Sequence, residues 1–192
     1  MKNLLLLFSF LFISVGVFAQ KDNQLNAVLD DAYKAGHKGF LTKFYKTIKY
    51  PLAARDNCSM GLSIIEATVD VDGQITDIKK KTNLDNGLDQ QVISTLKEMK
   101  QWKNLSEPVS FQIKVAFKLE GQEVEKGDVV VVGFGNTSQC DSTDKLLKKL
   151  NIARTKQQND KALEIVEELI RREPNNSKYL KIQDSLKTGK KS

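Results

Sequence analysis

The chain of 192 residues has little of what catalytic and metal sites are usually built from. It contains one histidine, His37, and two cysteines that lie far apart, which does not fit the clustered ligand spacing of a zinc site. No nucleophile elbow, phosphate-binding loop or zinc motif is present. We therefore expect neither an enzyme nor a protein that holds a cofactor or a metal ion.

Proline is also scarce, and no region concentrates the charge. The chain has 3 prolines and a net charge of +6 that is spread along its length. The lysine run at 79–81 has no aromatic residues interleaved with it, which argues against nucleic acid as a partner. We interpret this run as the charged end of a strand, which discourages pairing with another sheet.

One long apolar run is present, at the N-terminus. Lys2 precedes largely apolar residues from Leu4 to Ile13, and the small residue Ala19 follows. This pattern is typical of a secretory signal peptide, residues 1–19, cut after Ala19. The alternative is an uncleaved anchor, but the run is shorter than the roughly 20 residues of a spanning helix. We expect a periplasmic or secreted protein with no stable membrane span after cleavage.

Export would permit a disulfide between Cys58 and Cys140. Two cysteines allow one intramolecular pairing, but the sequence does not give the distance between them. Both the bridged and the unbridged state therefore remain open at this point.

Alternation of apolar and polar residues predicts a β-hairpin in the middle of the chain. The alternation runs from Ile65 to Val71, so that apolar side chains share one face of a strand. Asp72-Gly73 follows, a pair that favours a tight two-residue turn. We expect the return strand to begin near Ile75.

The clearest strand runs from Val109 to Leu119, with one face expected in a core and the other in water. Helical patterns at 40–49 and 88–102 flank the predicted strands. Two helices on one face of three antiparallel strands make a two-layer α+β domain, residues 39–120, with a possible extra edge strand. The apolar residues of the last strand are Phe111, Ile113, Val115, Phe117 and Leu119.

The other segments precede or follow this domain in the sequence. Residues 20–38 are predicted to form a helix and a linker, in which we interpret His37 as a solvated loop residue. Residues 121–140 contain a loop and a valine-rich strand. Residues 141–187 have helical periodicity, and 188–192 form a disordered basic tail.

Several motifs of the α+β domain occur together in one known family. Residues 50–54 read Tyr-Pro-Leu-Ala-Ala, residues 69–73 read Val-Asp-Val-Asp-Gly, and Trp102 comes later. With these motifs, the segment from 39 to 119 resembles the C-terminal domain of TonB-family energy transducers. The chain departs from the family where Lys103-Asn104 stands in place of the usual proline.

This resemblance implies a function in protein binding. The last strand of such a domain accepts an extended peptide by strand addition, as with the TonB box of an outer-membrane receptor. The acceptor would be Phe111 to Leu119, and the process outer-membrane transport or envelope assembly. A strand that only builds the core is the other interpretation, and both can hold. Without an anchor or a proline-rich spacer, we expect no transmission of force.

A second resemblance concerns the valine-rich strand. Residues 128–135 resemble the TonB-box region of SusC-like receptors, and their loop to the acceptor strand allows an antiparallel hairpin. The segment could therefore cover the acceptor edge of its own domain, pair with another chain, or remain unpaired. The candidate capping residues are Val129, Val130, Val131, Val132 and Phe134.

The helical tail resembles one tetratricopeptide-like unit from Ala162 to Tyr179, and a plain helical hairpin is the other interpretation. Two functions follow from the sequence. The first is a periplasmic module that binds extended peptides by strand addition. The second is a self-capped scaffold protein whose helical tail contacts the partner.

Overall fold

The computed structural model describes residues 23–135 and 137–189, so that the predicted signal peptide and the last three residues lie outside the described part. Within that part, no helix is long and apolar enough to cross a bilayer. The helices are α1 (Asn23–Ala32), α2 (Gly36–Thr47), α3 (Leu52–Asp56), α4 (Leu88–Glu98), α5 (Thr143–Thr155), α6 (Asn159–Arg172) and α7 (Ser177–Thr188), and the strands are β1 (Gly61–Val69), β2 (Ile75–Lys80), β3 (Val109–Leu119) and β4 (Val129–Gly133).

The four strands form one sheet in the order β2-β1-β3-β4. β1 pairs antiparallel with both β2 and β3, and β4 pairs parallel with β3. The predicted α+β class is confirmed. The three predicted strands pair antiparallel, and the valine-rich segment joins them as an extra edge strand that runs parallel to β3.

The loop between β1 and β2 is longer than the predicted two-residue turn. The carboxylate of Asp70 accepts hydrogen bonds from the backbone N–H groups of Asp72 (3.1 Å) and Gln74 (2.7 Å). Gly73 has a φ of +74°, which glycine adopts without strain. Asp70 thus closes a five-residue loop, and Val71 lies in it, 41% exposed, instead of on the buried face.

The main core lies between one face of the sheet and the helices α1, α2 and α4. Its centre is a cluster of aromatic rings in edge-to-face and tilted contacts, with centroids 5.1 to 6.2 Å apart. Such geometry suits the quadrupoles of the rings. The members of the cluster are Tyr33, Phe40, Trp102 and Phe111.

Residues 36–39, predicted as a linker, are the first turn of α2. His37 is therefore not a solvated loop residue. The Asp30 carboxylate accepts hydrogen bonds from the N–H of His37 and lies 2.8 Å from its Nδ1, and these contacts lower the pKa of Asp30. Asp30 caps the helix from a distance because Ala35, at the N-cap position, has no side-chain acceptor.

The second face of the sheet was expected to be exposed to water. It is covered around the first part of β1 and the part of β3 that pairs with it. Leu62, Ile64 and Ala116 are buried there, and the partly buried Val124 packs on them. α6 also contacts β1 on approach to its C-terminus, where a Cβ added at Gly61 would lie 2.2 Å from the carbonyl oxygen of Arg171. The alternation of the sequence missed this cover because it is supplied by segments distant in the chain.

Helices α5, α6 and α7 form a second core of their own. The guanidinium of Arg172, 2% exposed, ties this unit together. Its nitrogens donate to Glu168 Oε1 (3.0 Å), to Thr143 Oγ1 (3.3 Å) and to the carbonyl of Asp141 (3.0 Å). A buried charge with these partners is compensated, so we treat this arginine as structural.

Candidate peptide-binding edge

The outer edge of β3 is the side turned away from β1. The N–H of Lys114 donates to Asp128 Oδ2 (2.7 Å) on this side. Backbone groups of alternate residues point the same way along an antiparallel strand. The N–H and C=O groups of Ser110, Gln112 and Lys114 therefore form the outer edge, followed by those of Ala116 and further alternate residues.

The opposite strand supports this direction. Ile64 of β1 stands directly across from Lys114. Its N–H donates to Thr82 Oγ1 (2.9 Å) and its C=O accepts from the N–H of Lys81 (2.8 Å), both away from β3. Because Ile64 and Lys114 exchange no hydrogen bond, the backbone groups of Lys114 must face outward.

The second half of this edge is closed by β4. Val115 to Leu119 lie beside Val129 to Gly133 in parallel register. Beyond the strand, the N–H of Glu120 donates to the C=O of Gly133 (3.0 Å). Val129 is fully buried and Val131 packs on the main core, so the strand is held by side chains as well as by its backbone.

The direction of β4 corrects the expected antiparallel hairpin. After Leu119 the chain turns at Gly121 (φ +75°) and returns across the second face of the sheet, where Val124 packs. It reaches Asp128 beside Lys114, so β4 starts near the middle of β3 and runs with it. A hairpin would have had to start β4 beside Leu119.

Two contacts hold the returning segment in place. The N–H of Glu125 donates to the C=O of Arg172 (2.9 Å) at the end of α6. Gly127 passes so close to β3 that an added Cβ would lie 2.5 Å from the carbonyl oxygen of Lys114. The segment is therefore confined between the sheet and the helical unit.

A disulfide joins Cys58 and Cys140, with 5.4 Å between the Cα atoms. It resolves the alternative that the sequence left open. Cys140 is buried beside Met60 and Leu119. The bridge ties the loop that follows β4 to the segment just before β1.

The ring of Tyr50 packs against the end of β4. It packs edge-on against Phe117, with centroids 5.7 Å apart, and its hydroxyl donates to the C=O of Ser59 (2.6 Å). Burial, with a smaller effect of the negative Glu168, raises the pKa of this phenol. A Cβ at Gly133 would lie 2.9 Å from the ring, so only glycine fits here.

The first half of the edge is open. A cavity of about 220 Å³ lies between the start of α1 and β3. The exposed residues Ser110 and Gln112 turn their backbone groups toward it, and within the described part of the chain these groups have no hydrogen-bond partner. The lining includes Gln24, Leu25 and Val28 of α1, with Glu66, Ser110, Phe111, Gln112, Lys114 and Asp128.

Of the predicted site residues, Phe111 borders the cavity, and the others do not line the open edge. Phe111, Ile113, Val115, Phe117 and Leu119 are buried and turned into the molecule. The groups available to a partner belong to the residues between them, which the sequence analysis missed. The alternation that identified the buried face could have pointed to these residues, whereas the contact of Asp128 with Lys114 had no signal in the sequence.

Two solved structures are similar to part of this chain, both NMR solution structures of the TonB C-terminal domain of Helicobacter pylori. The shorter form is 23% identical, with a TM-score of 0.35, and the match covers 41% of this chain and 88% of that one. The longer form is 20% identical, with a TM-score of 0.36, over 51% of this chain and 94% of that one. No family model and no curated protein sequence matches the chain.

Proposed function

We propose that the chain is an exported, non-enzymatic protein-binding module of the TonB C-terminal type. It binds an extended segment of a partner protein by strand addition at the open half of β3. The observation that supports this function is the pair of outward-facing residues, Ser110 and Gln112, beside the cavity. β4 caps the remainder of the edge, so the binding strand is shorter than the predicted Phe111 to Leu119.

The physical basis is the unused hydrogen-bonding capacity of the strand. Each outward residue offers one N–H and one C=O, and an extended peptide satisfies both while its alternate side chains meet the flanks of the cavity. Leu25 and Val28 provide an apolar flank on one side, and Lys114 with Glu66 a charged one. Since only two residues offer these groups, we expect weak and transient binding.

The motif resemblance suggests the partner. An outer-membrane TonB-dependent receptor presents an extended box segment, and the module would act in outer-membrane transport or in envelope assembly. It would bind in the periplasm without transmitting force.

Amide hydrogen exchange tests the proposed site. The probe is a synthetic peptide with the sequence of residues 128–135, which resembles a receptor segment. We expect added protection at Ser110 and Gln112, with no change at Ala116, whose N–H already pairs with β4.

Two variants at one position provide the control. Gln112→Pro removes the outward N–H without breaking a bond to β1, and it should abolish the added protection. Gln112→Ala changes only the side chain and should retain it. Protection that is absent in the parent chain, or that survives Gln112→Pro, would contradict strand addition at this edge.

A second candidate function is a self-capped scaffold whose helical unit contacts the partner. It is favoured by the pairing of β4 with its own sheet and by two exposed apolar side chains, Ile152 (55%) on α5 and Leu180 (43%) on α7. Pull-down from envelope extract separates the two. Loss of a specific partner in Ile152→Asp/Leu180→Asp, with none in Gln112→Pro, would favour the scaffold.

A further inference from the structure

The cavity at the open half of β3 has two walls of different chemistry. Phe111 belongs to the main core, and Leu25 and Val28 of α1 border the cavity on that same side. Ser110 and Gln112 direct their exposed side chains to the opposite side. A strand laid along this edge would therefore meet an apolar wall with one set of its alternate side chains and a polar wall with the other.

β4 shows how such a strand is held in this sheet. It lies beside the same strand, β3, and its alternate residues Val129 and Val131 pack on the main core, whereas Val130 between them is 40% exposed. A segment bound to the open half would have the same neighbour, so its alternate side chains would face the same two sides. Its side chain beside Phe111 would point toward α1.

The space at this position suits one side chain. Gly127 and Asp128 lie beside Lys114, so the free stretch of the edge ends at that residue. Phe111 is the core-facing residue of the free stretch that borders the cavity. The cavity volume of about 220 Å³ is below the roughly 300–1,000 Å³ of pockets that enclose drug-sized ligands. A single apolar side chain therefore fits this space better than a separate small molecule.

The polar wall does not favour a charge of one sign. Glu66 and Lys114 both border the cavity, with opposite charges. Glu66 also forms a salt bridge with Lys81 (3.1 Å). Uncharged polar residues therefore suit the positions of the segment that face this wall.

We propose that the open half of β3 selects an extended segment in which one large apolar side chain is flanked on both sides by uncharged polar residues. The apolar side chain enters the cavity between Phe111 and the pair Leu25 and Val28. Its polar neighbours lie on the side of Ser110 and Gln112. This inference rests on the function proposed above, because it names the kind of segment that the same edge takes.

The inference makes α1 the element that determines specificity. Leu25 and Val28 are three residues apart and therefore share one side of the helix. Core packing accounts for Leu25, which is 8% exposed, but Val28 is only partly buried. A bound apolar side chain would cover the exposed part of Val28, and removing this surface from water favours binding. α1 precedes the segment 39–119 that resembles the TonB family, so this selection would be particular to the present chain.

Matched peptides test the inference on the full, disulfide-bonded chain. The probes are acetyl-Thr-Ala-Thr-X-Thr-Ala-Thr-amide with leucine, alanine or lysine at the central position X. The readout is the protection of the Ser110 and Gln112 amides as the peptide is titrated. We expect the leucine peptide to bind about tenfold more tightly than the alanine peptide, because its side chain buries more apolar surface. The lysine peptide should bind more weakly than the leucine peptide.

Neighbouring residues of α1 provide the variants. Val28→Asp places a carboxylate at the cavity and should reverse the preference, so that the lysine peptide binds more tightly than the leucine peptide. Ala27→Asp adds the same charge at an exposed residue that does not border the cavity, and it should retain the preference for leucine. Val28→Thr keeps the shape of the side chain and should reduce the leucine preference to a few-fold. It decides the question if the thermal unfolding midpoint shows that Val28→Asp does not fold.

The outcomes separate this inference from the proposed function. Equal protection by the leucine and alanine peptides would overturn the inference and leave strand addition in place, as would a leucine preference that is unchanged in Val28→Thr. Absence of protection with every peptide would overturn the proposed function and the inference with it. Protection of Ser110 and Gln112 in the free chain that rises with protein concentration would make a second copy the occupant and overturn the inference.

Discussion

The two halves of the outer edge of β3 belong to one strand but differ in what closes them. Along Val115 to Leu119 the backbone pairs with β4, and along the first half it faces a cavity. The boundary is Lys114, whose N–H is taken by the Asp128 side chain where the backbone of β4 has not yet begun to pair. A single carboxylate thus ends the ladder.

The two halves also differ in the side chains that lie beside their backbone edge. An unpaired apolar strand edge invites aggregation, and natural sheets cover or charge such edges. Among the residues whose backbone faces outward, the closed half has the buried Ala116 and the partly buried Lys118, whereas the open half has the exposed polar side chains of Ser110 and Gln112. The part of the edge that stays available for binding is therefore flanked by polar side chains.

The largest expected effect comes from removing the disulfide. Cys58→Ser/Cys140→Ser releases a tie between residues 82 apart and should lower the free energy of unfolding by roughly 2–5 kcal/mol. Denaturant unfolding measures this loss. Amide exchange should accelerate at Ala116 and Lys118 more than in β1. Equal acceleration in both strands would mean that the bridge does not hold the cap.

A smaller effect is expected from Val131→Pro, which should convert the closed half into an open one. The substitution removes an N–H that faces β3 and should cost roughly 2–3 kcal/mol, because a carbonyl partner is left unsatisfied. The exchange rates of Ala116 and Lys118 should approach that of Gln112. Val132→Pro, one residue further on, is the matched control, because the N–H of Val132 faces away from β3 by alternation with Val131 and Gly133. If the two variants behave alike, the assigned direction of the β4 backbone is wrong.

The smallest effect is expected at the boundary between the halves. Asp128→Ala leaves the N–H of Lys114 without its carboxylate and should cost about 1 kcal/mol. The amide of Lys114 should then exchange as rapidly as that of Gln112. Asp128→Asn keeps an oxygen acceptor and should slow this exchange again. Unchanged protection of Lys114 in the alanine variant would show that Asp128 does not set the boundary.

Local patterns were sufficient for most of the elements. Alternation located β1 and β3, and helical periodicity located the helices, with errors at their ends. The prediction of a two-residue turn at Asp72-Gly73 is wrong because the side chain of Asp70, outside that pair, closes the loop. The prediction of a linker at 36–39 is wrong because Asp30, in the preceding helix, caps α2.

The sequence by itself determined which side chains of β3 are buried and that its backbone groups alternate in direction, since both follow from the period of a strand. Only the tertiary structure decided which set of backbone groups faces away from β1 and which of those groups remain free. That outcome depends on the return path of 120–128 over the second face, on the contact of Asp128 with Lys114, and on the closeness of Cys58 to Cys140. These are contacts between residues that are distant in the sequence, and a local sequence pattern does not indicate them.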